Sequence, residues 1–211
     1  MNVDMIMALA DAERLSDKEF GIVDQAAHSG DSELRLAAAE VLGIVEPADR
    51  NLSLLKKLSH DADELSASEA CDSLGAKGDM SCLPDLIREL GSRMYLVRGY
   101  AACAYAEIAR RENAVSDEVI APIEQRLGSE KIEWVRIGLY FAMLMLGRRE
   151  YLGRLLDGLN DGDYRVRSAA ANDLLLAADY DGSLKPEIKS FFETGLVNRT
   201  RESEELSTNL G

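Results

Sequence analysis

Hydrophobic positions along the chain recur at helical spacing. After an acidic turn, Leu34, Ala38 and Leu42 follow one another four residues apart, which places them on one face of a 3.6-residue period. The same reading restarts at Ser66, Val97, Val135 and Val166, so the five anchors are separated by 32, 31, 38 and 31 residues. An arginine follows the anchor at Arg35, Arg98, Arg136 and Arg167, whereas Ser66 is followed by Ala67. An aspartate stands three places ahead at Asp31, Asp63 and Asp163. Small residues stand four and five places behind the anchor in Ala38-Ala39, Ala70-Cys71, Ala101-Ala102 and Ala170-Ala171, but the fourth copy has Leu139-Tyr140 there. Apolar residues eight places on, Leu42, Leu74, Tyr105, Met143 and Leu174, complete each face.

Between the copies run shorter stretches such as NLSLLKKLSHD, SCLPDLIRELG, EVIAPIEQRLG and EYLGRLLDGLND, apolar at helical spacing and ending in Gly, Asn or Asp, residues that stop helices. Alternating strand-like runs bounded by hairpin turns are absent. The predicted unit is therefore helix, turn, helix, of about 31 residues. A two-helix unit cannot bury its apolar face alone, so neighbours must stack. The expected fold class is all-α, an α-α superhelix of about five repeats over roughly 16–45, 46–77, 78–112, 113–148 and 149–180, with an opening helix near 16–28, a C-terminal cap at 183–196 and a polar tail at 197–211, all in one domain.

The turn aspartate, the Val-Arg pair and the Ala-Ala…Leu-Gly ending resemble the HEAT repeat, specifically its short variety also found in phycobilin lyases, over roughly residues 16–195. Tetratricopeptide and ankyrin signatures are missing. The resemblance implies a solenoid whose concave side is lined by the Val-Arg helices, with the arginines and turn aspartates forming a ladder of hydrogen bonds between repeats.

If the anchor and the residues four and eight places on face the core, then the residues one before, two after and six after face away. Those are Glu33, Leu36 and Glu40 in the first copy, Leu65, Ser68 and Asp72 in the second, and Leu96, Gly99 and Cys103 in the third, with Glu107 a turn later. The fourth copy offers Trp134, Ile137 and Phe141, and the fifth Arg165, Ser168 and Asn172. The expected groove is acidic at its N-terminal end and aromatic in the fourth repeat. Glu33, Glu40, Asp72, Glu107, Trp134, Ile137, Phe141 and Asn172 are its partner-binding candidates. The fourth helix, IEWVRIGLYFAMLML, is apolar nearly all round, a pattern that belongs to buried helices. Cover by the tail after Leu196 or by a second copy competes there with a partner-binding hot spot, and a bilin or lipid pocket is a third reading.

Composition narrows the chemistry. The net charge of -14 over 211 residues repels nucleic-acid phosphates and attracts basic partners. Cys71, Cys82 and Cys103 form no CxxC and suit a reducing, cytoplasmic setting. The N-terminus lacks the basic region of a secretory leader, and no stretch reaches the length of a membrane span. His28 and His60 lie one repeat apart in corresponding turns and are expected to be turn residues rather than metal ligands. HEAT-like deoxyhypusine hydroxylases carry His-Glu pairs for iron, and this chain has none. No Gly-x-Ser-x-Gly elbow is present. Asp79, Asp161 and Asp163 read as turn and N-cap residues, ARRENAVSDE (109–118) as a solvated loop, and GRRE (147–150) as a capped helix end. No catalytic residue, cofactor or metal is expected.

The functional expectation is a protein–protein interaction module that holds a basic partner in this groove. Small acidic HEAT-like proteins resemble in type the bacterial immunity proteins that block a cognate toxin, and toxins that cleave nucleic acid are often basic. The alternative is a phycobilin lyase-like bilin-binding enzyme or chaperone. A DNA-glycosylase-like role would need a basic groove. Self-association stays open.

Overall fold

In the computed structural model, which describes residues 1–194, 198 and 200–210, the predicted acidic turns become helix N-caps. The Asp31 carboxylate accepts from the Glu33 amide at 3.0 Å, Asp63 from Ser66 at 2.9 Å and Asp163 from Arg165 at 2.9 Å, each satisfying an amide that the first helical turn leaves unpaired. Among the described residues the chain is helical without strands. The helices are α1 (Val3–Met7), α2 (Asp17–Ala27), α3 (Ser32–Ile44), α4 (Asp49–Leu58), α5 (Glu64–Lys77), α6 (Leu83–Glu89), α7 (Tyr95–Arg111), α8 (Asp117–Ser129), α9 (Glu133–Met145), α10 (Leu152–Gly158), α11 (Tyr164–Tyr180), α12 (Leu184–Glu193) and α13 (Arg201–Asn209). Short 3-10 turns occupy Ala8–Asp11, Met80–Cys82 and Arg149–Tyr151. The all-α, helix-turn-helix repeat architecture expected from the periodicity is the architecture observed.

The chain divides into two compact units, Met1–Ala114 and Val115–Gly211, and the division falls two residues into the fourth sequence repeat. In the first unit α5 lies between α3 and α7, with α2, α4 and α6 packed against α3, α5 and α7 respectively and α1 laid on α3. Small residues allow the close approach: a Cβ on Gly75 would sit 2.9 Å from the Ala104 Cα. In the second unit α9 packs on α8, α10 and α11, and α11 on α12 and α13. Gly147, with φ of +88°, ends α9 in a left-handed turn, so GRRE is a helix terminus as expected.

The repeated arginine fastens its own turn. Nη1 donates to the carbonyl six residues upstream in every case: Arg35 to Ser29 at 3.0 Å, Arg98 to Ser92 at 3.0 Å, Arg136 to Glu130 at 3.1 Å and Arg167 to Asp161 at 3.0 Å. The expected ladder has a different acid. The aligned aspartates cap their helices, and Arg35 instead grips Asp61, two residues before the cap, through Nε at 2.7 Å and Nη2 at 2.9 Å. Arg167 makes the corresponding reach to Glu202 of α13 at 3.1 Å.

Both chain ends differ from expectation. Residues 3–11 form α1 and a 3-10 turn ahead of the predicted opening helix, anchored by the fully buried Ile6. The stretch read as a polar tail contains α13, which Thr200 starts with a capping box and which buries Leu206. Leu210, just past its end, is buried too. The cap predicted over 183–196 is helical over Leu184–Glu193; positions 195–197 lie outside the described residues.

Candidate functional site

The first unit carries an open hollow of about 300 Å³ lined by Met7, Glu40, Gly43, Ile44, Glu69, Asp72, Ser73 and Ala76. Its construction follows from helix geometry. Glu69 and Asp72 are three residues apart on α5 and therefore neighbours on one face. Glu40 comes from α3, which lies beside α5. The two helices close tightly at the floor: the Ser73 hydroxyl donates to the Ala39 carbonyl at 3.1 Å, and a Cβ on Gly43 would collide with the Ser73 side chain. Met7, at the end of α1, and Ile44, at the end of α3, supply apolar lining.

The hollow and its two other carboxylates act on Glu69. Burial, then the charges of Asp72 and Glu40, push the Glu69 carboxyl up to about 7, from an ordinary value of 4.5. Burial raises Asp72 as well. At the α3 end of the rim, Lys77 donates to the Ile44 carbonyl at 3.2 Å. Glu107 of α7 reaches back over α5, its Oε2 standing 3.4 Å from where a Gly75 Cβ would be. Glu33 is exposed at the start of α3.

Of the eight candidates, the structure thus brings Glu40 and Asp72 to one hollow and places Glu107 across the adjacent α5 surface. Glu69 was missed: it stands three places after its anchor, outside the one-before, two-after and six-after positions expected to face outward, although its three-residue spacing from Asp72 alone puts both on one face.

The aromatic candidates fare differently. Trp134 is half-buried, but Ile137 and Phe141 are completely buried and are core rather than contact surface. The reason is local: α10 approaches α9 closely at Gly158, where an added Cβ would lie 2.6 Å from the Ile137 Cδ1 and 3.0 Å from the Ala170 Cβ. The neighbouring α10 and α11 thus occupy the face that stays open in α3 and α5. The tail after Leu196 packs along α11 through α13. Asn172 is exposed on α11 in the second unit.

Asp79, Asp161 and Asp163 are turn and cap residues as expected, accepting from the amides of Ser81 at 2.8 Å, Asp163 at 2.7 Å and Arg165 at 2.9 Å. Among the described residues no helix is long and apolar enough to cross a membrane.

No family model and no curated protein matches the chain. Thirty chains of solved structures do. One belongs to the complex of CpcE and CpcF of phycocyanin lyase from Nostoc sp. PCC7120, with 18% identity, a TM-score of 0.47 and coverage of 95% of each chain. Another is human deoxyhypusine hydroxylase in complex with glycerol, with 15% identity, a TM-score of 0.39 and coverage of 99% of this chain and 94% of that one.

Proposed function

We propose that this protein is a binding module that receives a basic side chain of a protein partner in the hollow between α3 and α5. The observation that carries the reading is the convergence of Glu40, Glu69 and Asp72 at one concave place, close enough that Glu69 holds its proton near neutrality. A guanidinium or ammonium entering the hollow relieves that repulsion, and its methylene stem lies against Met7 and Ile44. The charge of -14 adds long-range steering toward a basic surface. Glu33 on α3 and Glu107 on α7 extend the acidic surface beyond the hollow, and Trp134 and Asn172 are left as separate contact candidates in the second unit. The partner class is a basic protein, of which a toxin domain blocked by an immunity protein is one instance, in a reducing compartment such as the cytoplasm.

The alternative, a phycobilin lyase-like protein, rests on the repeat type. It requires an apolar pigment pocket, while Ile137 and Phe141 are sealed and the open hollow is acidic, a poor match for the propionates of a bilin.

The test compares wild type with Glu40→Lys/Asp72→Lys as tagged baits in native cell extract, eluted along a salt gradient. A basic protein held by wild type and lost from the variant supports the proposal. A partner that binds both equally overturns it. Coloured material on the wild-type bait favours the bilin reading, and a second copy of the chain favours self-association.

A further inference from the structure

His28 and His60 occupy the same place in successive repeats, 32 residues apart, and each reaches the outer helix of the following repeat. The residues they meet there, Lys57 and Glu89, are also 32 residues apart. The two histidines therefore sit in equivalent joints with opposite charges across from them.

Hydrogen-bond inventory distinguishes the two rings. The Lys57 ammonium only donates, so the His28 Nε2 facing it accepts, and the His28 Nδ1, 2.8 Å from the Asp24 carbonyl, donates. Both contacts are satisfied by a ring with a single N–H. The His60 Nδ1 lies 2.7 Å from Glu89 Oε1, and its Nε2 lies 2.8 Å from Asp85 Oδ1. Ionised carboxylates only accept, so keeping both contacts at once takes a proton on each nitrogen of His60. Asp85 and Glu89 are four residues apart on one face of α6 and grip the ring at opposite edges. Because they do not converge on a shared point, the cluster is a clamp rather than a metal site.

We propose that His60 is a proton-operated clamp fastening α6 to the turn between α4 and α5. Glu89 is the costly partner, with 7% of its surface exposed. The charged and titratable groups around the joint are few. Arg88, on α6, has its Nε 3.8 Å from Glu89 Oε1. Cys71, on α5, is kept as a thiol by burial. Lys56 and Lys57 of α4 turn away to Ser81 and His28, and Asp61, next to His60, is held by Arg35. Loss of one ring proton points a nitrogen lone pair at a carboxylate, so a bond that needs the cation is lost. The sign follows: the clamp is closed while the ring carries both protons and opens when a higher pH removes one.

The test is nitrogen-resolved NMR of both imidazoles in the intact protein, together with hydrogen exchange of the α6 amides corrected for the intrinsic effect of pH. The expected result in mildly acidic buffer is two protonated nitrogens on His60 and one on His28. Protection of α6 should fall about tenfold in mildly alkaline buffer, the worth of one charge-assisted hydrogen bond. In Asp85→Asn the new amide donates to the bare nitrogen, so α6 protection should lose its pH dependence while the fold persists. Protection of α6 that ignores pH in the wild type, or a His60 ring with one bare nitrogen in mildly acidic buffer, overturns the clamp.

Discussion

Glu69 shows how a single residue acquires its character from its surroundings. On an isolated helix it would be an ordinary carboxylate; burial, and then the charges of Asp72 and Glu40, push its carboxyl up to about 7. A carboxyl raised in the folded state binds its proton more tightly there than in the unfolded chain, so stability falls as pH rises from 4.5, the unfolded value, through about 7. Glu69→Gln should therefore unfold at higher urea than wild type above neutrality, by about 1–2 kcal/mol after allowance for solvent screening. The gap should close as the pH is lowered toward the unfolded value. An advantage that persists in acid would place the effect in packing. Phe141 is the counterpart in the second unit. Being wholly buried, it should cost about 3–5 kcal/mol on replacement by Ala, read by chemical denaturation. This corrects the expectation of a contact residue. The single-helix pattern around Phe141 placed it away from the core. It lies on a helix packed against α8, α10 and α11, neighbours that the pattern of α9 does not contain.

At the scale of elements, what repeats in the sequence is mostly what holds each turn together. The arginine after the anchor was legible, and so was its role within a joint, but not the identity of its acid. Asp63 and Asp61 are both plausible partners on spacing. The N-cap geometry takes Asp63 and leaves Asp61 for Arg35. Arg35→Ala should destabilise the protein by about 2–4 kcal/mol, because it strands the Asp61 carboxylate at a partly buried joint. Helical glycines give a sharper contrast. Gly75→Ala should cost about 1–3 kcal/mol by pressing against the Ala104 backbone. Gly153→Ala in α10, with open space around it, should add about 0.5–1 kcal/mol by removing backbone freedom from the unfolded chain. Thermal unfolding of the two variants side by side checks the opposite signs.

For the whole molecule the governing quantity is charge. At -14, association with a basic protein should accelerate at low ionic strength and slow steeply with added salt. Glu40→Lys/Asp72→Lys should lower the on-rate and flatten that salt dependence in stopped-flow measurements, with the helical signature unchanged. An unaltered on-rate would remove the hollow from the encounter surface.

The sequence by itself determined the helical class, the length of the unit and the acidic turns that begin its helices. These depend on residues close together in the chain, where period, capping and turn chemistry act locally. It also placed Glu40 and Asp72 on the outward face of their helices. Tertiary structure alone decided which outward faces stay open. In α3 and α5 that face lines a hollow, whereas in α9 it is closed by α10 and α11. It also turned residues at both ends, Val3–Met7 and Arg201–Asn209, into helices, because each can rest its apolar residues on a neighbour already present. Burial is a property of where other elements go, and their approach depends on small residues distant in sequence. No pattern within one helix records it.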